Sequence, residues 1–359
     1  VYKRQGLWWN LDNHLTLEND KVSAKVTYLN CIENGVTTVF DHHASYKKTE
    51  KSLIELAKVA KEYKLRTCLC YEVSDRNGEV EMKKAVKENV DFIHYANNDT
   101  TDMIKGTMGL HASFTLSDDT LRYVVEQNPE GAGYHVHIAE GMADLEDSLS
   151  KYGVRTVERL HGMGILGPKT VAGHCIYIDD KEMDLLKATD TMVVHNPESN
   201  MGNAVGAPDV LKIFHKGILI GLGTDGYTND MLESYKVANI LQKHVHKDPS
   251  CAWEEIPTML FEHNAQIANR FFQVPLGKIK VGYAADIIFV DYDPLTPMDE
   301  NNVNSHILFG MNGSNVTTTI CNGEVLMRDR KLLHINKEEV MEESRRQAAD
   351  LWQRINANR

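Results

Sequence analysis

A repeating unit constrains this chain more than any other feature. Between residues 20 and 270 an amphipathic stretch, a short apolar run rich in β-formers and a polar loop recur in that order. The apolar runs are GVTTVFDHH (35–43), LRTCLCYEV (65–73), IKGTMGLHA (104–112), GYHVHIAE (133–140), TVAGHCIYI (170–178), TMVVHNP (191–197) and LIGLGTDG (219–226). Near-continuous apolar runs separated by helix-length spacers are the pattern of parallel strands buried on both faces. The spacers read as helices. KKTEKSLIELAKVAKEYK (47–64) aligns Leu53, Leu56, Ala57 and Ala60 on one stripe. SDDTLRYVVEQN (117–128) opens on Ser117 as an N-cap, with acids in its first turn. KVSAKVTYLNCIENG (21–35) ends at Gly35, just past a C-cap. At 359 residues the chain is long enough for one large α/β barrel, and its regular alternation favours that over two unrelated halves.

After residue 270 the pattern changes. ADIIFVDYD (285–293) predicts a strand, and TTTICNGEVLMRDRKLL (317–333) a hairpin turning on Asn322-Gly323, a pair suited to a type I′ turn. KEEVMEESRRQAADLWQRI (337–355) predicts a charged amphipathic helix docked on the main body. The expected organisation is a barrel over 6–272, a small β part over 273–335 and a C-terminal helix over 336–359.

Charge and cysteine usage narrow the function. Against 51 acidic residues stand 39 basic ones, a net charge of −12, and no Lys/Arg cluster tracks a phosphate backbone, so nucleic acid is not expected as a partner. No apolar run is long enough to span a bilayer, so a membrane is not expected either. The six cysteines show no CxxC spacing and read as reduced thiols of a cytoplasmic protein, with Cys68 and Cys70 as small buried hydrophobes on one strand face. Three Asn-x-Ser/Thr sequons occur without a signal peptide and read as chance matches. The chain begins at Val1 and not at a methionine, from which a fragment is expected.

Each of the seven runs ends in residues able to bind metal or move protons: Asp41, His42 and His43; Tyr71 and Glu72; His111; His137 and Glu140; His174; His195 and Asn196; Asp225. In a parallel barrel these strand ends converge on one mouth. His42 and His43 point to opposite faces, so one is a pocket residue and the other structural. In HVHIAE both histidines share a strand face, which leaves open whether both are ligands. A divalent metal on imidazoles and one carboxylate, with an open position, makes a hydroxide nucleophile near neutral pH. Glu140, in the loop beyond its strand, suits a mobile proton shuttle. No Gly-rich phosphate loop opens a helix and no GxSxG elbow is present.

HIAE, AGHC, HNPESNMGN (195–203) and GLGTDG together resemble the amidohydrolase superfamily, in the branch of cytosine, guanine and S-adenosylhomocysteine deaminases and triazine chlorohydrolases. More narrowly, GVTTVFDHHAS, YEVSDRNG, GLHASFTLSD, HNPESNMGNAVGAPDVL, GLGTDGYTNDM and DYDPLTPM are similar to the SsnA-type aminohydrolases, over nearly the whole chain from about residue 6. The resemblance implies that His137 is a metal ligand, and that Asp225 both binds the metal and accepts the proton of the attacking water. It further implies that Glu140 protonates the substrate and that His174 hydrogen-bonds the attacking oxygen, with no ligand role for His135. His111, His195, Asn196, Asn200, Glu72 and His43 are the expected substrate-pocket residues. The family also supplies a His-x-His pair on a first barrel strand and N-terminal strands of a β-sandwich, and neither is in this sequence. His14, isolated and polar-flanked, does not replace the pair.

The expected fold is therefore α/β, a (β/α)8 TIM-like barrel lacking its first strand, with the C-terminal part of a β-sandwich and a terminal helix. The expected function is metal-dependent hydrolysis of non-peptide C–N bonds, as in an aminohydrolase of a purine-like or other heterocyclic substrate. Zinc is the expected metal and iron the alternative, and the family implies a homo-oligomer. Two competing readings are a hydrolytic dechlorinase on the same fold and a catalytically silent barrel. The second follows from the absent His pair, which predicts weak metal binding and an inactive chain.

Overall fold

The computed structural model describes residues 7–357. All seven apolar runs form strands. They are β1 Thr38–His43, β2 Arg66–Tyr71, β3 Ile104–Gly106 with β4 Met108–Ala112, β5 Tyr134–Ile138, β6 Thr170–His174, β7 Met192–His195 and β8 Ile220–Leu222. β3 and β4 form one stave broken at Thr107, since Val73, just past β2, bridges Leu110 in parallel and carries the pairing across the break. Every neighbouring pair is parallel and each stave follows the last, in the order β1-β2-β3/β4-β5-β6-β7-β8.

Among the described residues no ladder joins β8 back to β1. The free edge of β8 is instead satisfied by side chains from the helical segment behind it. Asn264 accepts from the Leu222 N–H at 2.9 Å and donates to the Leu222 carbonyl at 3.0 Å, as a neighbouring peptide group would. The His263 ring donates to the Ile220 carbonyl at 2.8 Å. Gly221 makes this approach possible, because a Cβ there would lie 2.3 Å from the Asn264 side-chain oxygen Oδ1.

The spacers are helical as their periodicity predicts, with shifted ends. The stripe over 47–64 becomes a single 3-10 turn, Tyr46–Lys48, and the helix Ser52–Tyr63, whose Leu53, Leu56, Ala57 and Ala60 are buried. Ser117 caps Asp118–Gln127 by accepting from the Thr120 N–H. The helix expected from residue 21 starts earlier, at Leu17, because Thr16 and Asn19 form a capping box that the apolar pattern does not reveal. β5 shows how one strand serves two interiors. Tyr134, Val136 and Ile138 are buried against the surrounding helices, while His135 and His137 alternate with them into the barrel.

β9 Ile287–Val290, β10 Val316–Cys321, β11 Glu324–Arg328 and β12 Lys331–Leu332 form an antiparallel sheet in the order β12-β11-β10-β9. Asn322 and Gly323 both have positive φ, 49° and 81°, as the type I′ turn requires. The sheet sits against the end of the helix Leu17–Glu33, where Thr319 donates to the Ile32 carbonyl at 2.7 Å. The terminal helix Lys337–Ala357 docks on the same helix through Lys25–Glu343 at 2.9 Å and Asn19–Gln347 at 3.0 Å. All six cysteines are free thiols, and Cys68 and Cys70 are buried. No helix among the described residues is long and apolar enough to cross a membrane.

Candidate active site

The C-terminal strand ends bring His174, Glu140 and Asp225 together, their ligand-type atoms all within 4.8 Å of one another. His174 Nε2 lies 4.0 Å from Glu140 Oε2 and 3.9 Å from Asp225 Oδ2. The backbone here leaves the strands sharply. Ala139, His174, Cys175 and Asp225 have φ of 48°, 71°, 52° and 50°, in the left-handed region that non-glycine residues seldom occupy. Such outliers persist where surrounding structure over-determines them, and they cluster at functional sites.

Each member is oriented from behind. Asn200 accepts from His174 Nδ1–H at 2.8 Å, which leaves the Nε2 lone pair facing both carboxylates. The same amide faces His195 Nδ1 at 3.5 Å. Ser199 donates to Asp225 Oδ2, and the Gly226 N–H donates to Oδ1 at 2.7 Å. Burial disfavours the charge on Asp225, yet His174, Ser199 and His137 hold its pKa below the ordinary carboxylate value. Burial likewise lowers the pKa of His174, against the pull of Glu140 and Asp225.

His137 donates from Nδ1 to the His111 carbonyl at 2.6 Å, so its Nε2 is the nitrogen left for a ligand. Its ring stacks on His174 at 5.6 Å between centroids. His135 stands in the same interior, its ring 6.5 Å from His137 and 5.0 Å from His42. The convergent donor set is thus two carboxylates and His174 with His137 beside them, and not His137 with Asp225 in isolation. Imidazole nitrogen and carboxylate oxygen suit a borderline divalent cation.

The expected pocket residues divide. Glu72, His111 and His42 meet on the opposite side of His137, whose ring is 4.6 Å from His42 and 5.7 Å from His111. Glu72 accepts from Tyr46 Oη at 2.7 Å and is ion-paired with Arg76. Burial works to raise the Glu72 pKa, but His111, Arg76, His42 and Tyr46 together pull it down to about 2. His43 departs from the expectation. The strand's alternation sends His42 inward and His43 outward, to Ser45 Oγ at 2.8 Å and towards Asp20 at 3.8 Å. His195 and Asn200 are fully buried and stand behind His174 instead of lining a pocket. Asn196 is buried against Gly223, where a Cβ would lie 2.4 Å from its Oδ1.

Sequence reasoning missed Arg76, Tyr46, Ser199 and the inward place of His42. Arg76 lies four residues after Glu72, a spacing that can bring opposite charges together, but nothing in the sequence marks the 3-10 turn Asp75–Asn77 that makes it do so.

The family described as the amidohydrolase family matches residues 5–326. A 5'-deoxyadenosine deaminase of Methanosarcina barkeri is 32% identical over 361 residues, spanning 98% of this chain and 81% of that protein. A 5-methylthioadenosine/S-adenosylhomocysteine deaminase of Clostridium tetani is 28% identical, spanning 96% of this chain and 79% of its own length. Among solved structures, an adenosine deaminase from Xanthomonas campestris with bound zinc superposes with a TM-score of 0.84 at 20% identity, covering 98% of this chain and 80% of that one.

Proposed function

Because the chain belongs to the amidohydrolase family, we propose that it is a zinc-dependent aminohydrolase that releases ammonia from a 6-aminopurine nucleoside. The observation that carries this reading is the convergence of Glu140, His174 and Asp225 at the strand ends beside His137. The amidohydrolase membership and deaminase relatives make the enzyme a hydrolase of non-peptide C–N bonds, and the adenosine moiety shared by the relatives' names supplies the substrate class.

His137 and Asp225 would hold the cation, which when bound would act as a Lewis acid and lower the pKa of a water molecule. The protein's own groups do the rest. Asp225, kept ionised by His174 and the Ser199 hydroxyl, takes the proton of the attacking water. His174, its tautomer set by Asn200, presents Nε2 to the oxygen that adds to the carbon bearing the amino group. Glu140, 4.0 Å from that nitrogen, gives its proton to the ring nitrogen and recovers one from the adduct's hydroxyl as the carbonyl forms, while Asp225 passes the water's proton to the departing amine. Ammonia is the leaving group, so ammonium and not chloride accumulates.

The test is zinc loading of the full chain followed by ammonia assay with adenosine and 5'-deoxyadenosine. Stoichiometric zinc with ammonia release supports the proposal. Neither zinc nor ammonia supports the silent barrel, and chloride from a chlorotriazine supports the dechlorinase. The homo-oligomer is part of the same reading and is checked by light scattering.

A further inference from the structure

We propose that Asp144 is a positioning residue for the proton-shuttling Glu140, acting through the backbone of the residue before it. This deepens the function proposed above and rests on it for the role of Glu140.

Glu140 lies between the end of β5 and the helix Met142–Tyr152, one residue after the left-handed Ala139. Alanine lacks the freedom of glycine in that region, so its conformation must be held by its neighbours. Both peptide groups of Ala139 are held. Its N–H donates to Asp144 Oδ2 at 2.8 Å, and its carbonyl accepts from the Tyr177 N–H at 3.0 Å. Together the two bonds fix the peptide planes on either side of Ala139, and with them the direction in which Glu140 leaves the strand.

Asp144 is the third residue of its helix, whose N-cap, Gly141, has no side chain to close the first turn. A carboxylate at that position ordinarily reaches back to the N-cap N–H. Asp144 reaches two residues further, and its second oxygen accepts from the Phe114 N–H at 3.0 Å, in the turn after β4. It is buried, and among the described residues no lysine or arginine forms an ion pair with it. Arg159 instead binds the Ser113 and Leu116 carbonyls and Asp118. Burial pushes the Asp144 pKa up to about 6, against the Ala139 and Phe114 N–H groups that lower it. Above that pH the clamp is a carboxylate with one oxygen for each donor. An asparagine offers one acceptor oxygen, so one of the two N–H groups would face its NH2.

The two bonds lead to different places. The Phe114 side holds the turn whose Thr115 meets His111 Nδ1 at 2.7 Å, and His111 is an expected substrate-pocket residue. A loss transmitted through that side falls on KM. The Ala139 side leads to Glu140, 4.0 Å from His174 Nε2, and a loss transmitted through it falls on kcat.

The test uses the zinc-loaded full chain and its Asp144→Asn and Asp144→Glu variants. Two quantities are measured, hydrogen exchange of residues 138–141 by mass spectrometry and ammonia release from 5'-deoxyadenosine. Asp144→Asn is expected to exchange that segment about tenfold faster. It is expected to lower kcat about 10²-fold, as a small misplacement of a reacting group does, with KM within about threefold and zinc per chain unchanged. Asp144→Glu carries both oxygens on one more methylene and is expected to recover at least about tenfold of the lost kcat. If Asp144→Asn does not accumulate folded, Asp144→Ser, which keeps one oxygen and leaves room for water, takes its place. An unchanged kcat, a loss that falls on KM or on zinc, unchanged exchange at 138–141, or no recovery in Asp144→Glu overturns the inference. If the unsubstituted chain releases no ammonia, the proposed function breaks and exchange alone decides the clamp, faster exchange leaving it standing and unchanged exchange removing it. Ammonia release that Asp144→Asn leaves intact keeps the proposed function and removes the clamp.

Discussion

Glu72 and Asp225 are carboxylates just past strand ends in the neighbourhood of His137, and the protein treats them differently. Glu72 is buried, accepts from Tyr46 and is neutralised by Arg76, on a stretch of backbone in ordinary conformations. Asp225 is half-exposed and has a hydroxyl, a backbone N–H and a neighbouring histidine, on backbone with φ of 50°. Among the described residues no lysine or arginine is paired with it. A carboxylate completed by its own arginine is part of the scaffold and can present only its remaining lone pairs. One held by dipoles and imidazoles keeps its charge available to an incoming cation. The contrast separates a carboxylate fixed within the scaffold from one left open to a cation.

The sharpest way to break this comparison is to neutralise Glu140, beside Asp225. Glu140→Gln is expected to lower kcat for ammonia release by about 10³-fold, within the span typical of a lost acid–base group, while zinc per chain by elemental analysis is retained. Surviving turnover removes Glu140 from the proton path. Next is the effect of the two carboxylates on stability. Arg76→Met leaves Glu72 buried without its cation and is expected to cost about 3 kcal/mol in urea unfolding, whereas Asp225→Asn in metal-free protein changes stability by less than about 1 kcal/mol. Equal costs for the two substitutions erase the distinction.

A third effect lies beneath the pocket, where burial raises the pKa of Asp20 to about 7 against the Ser45 hydroxyl. A carboxyl that keeps its proton longer when folded destabilises the fold as pH rises from the unfolded value near 4 to about 7, and no further above that. Asp20→Asn is therefore expected to add on the order of 2 kcal/mol at pH 8 and almost nothing at pH 4, read from thermal melts across that range. The smallest effect belongs to Asn200. Asn200→Ala frees the His174 tautomer and is expected to lower kcat/KM about tenfold. Asn200→Asp places a negative charge on Nδ1–H and moves the acidic limb of the pH profile upward. An unchanged profile in Asn200→Asp assigns Asn200 to packing.

The seven staves were legible because each is a short apolar run between helical stripes, and the site's outline followed because the polar residues fall at the same end of each run. Parity was not legible. DHH gives two histidines and no sign of which faces inward, and that is decided by β1 pairing His42 with Cys70 and His43 with Tyr71. His195, Asn196 and Asn200 of HNPESN are expected in the substrate pocket, yet the segment folds into the short helix Pro197–Gly202 that props His174 and Asp225 from behind. Long-range pairs such as Arg159, which holds the Ser113 and Leu116 carbonyls after β4, leave no local trace in the sequence at all.

Asn264 has a mechanical consequence. β8 is pinned along one edge by a ladder to β7 and at the other by the Asn264 amide and the His263 ring, and it carries Asp225 three residues past Leu222. Of the three residues that converge at the mouth, Asp225 thus rests on the most compliant support. A sideways displacement of β8 strains three side-chain hydrogen bonds on that edge, where β5 and β6, which carry Glu140 and His174, must shear a second ladder. The stiffness beneath Asp225 is set from behind the barrel by the tilt of a helix, at a point remote from the pocket.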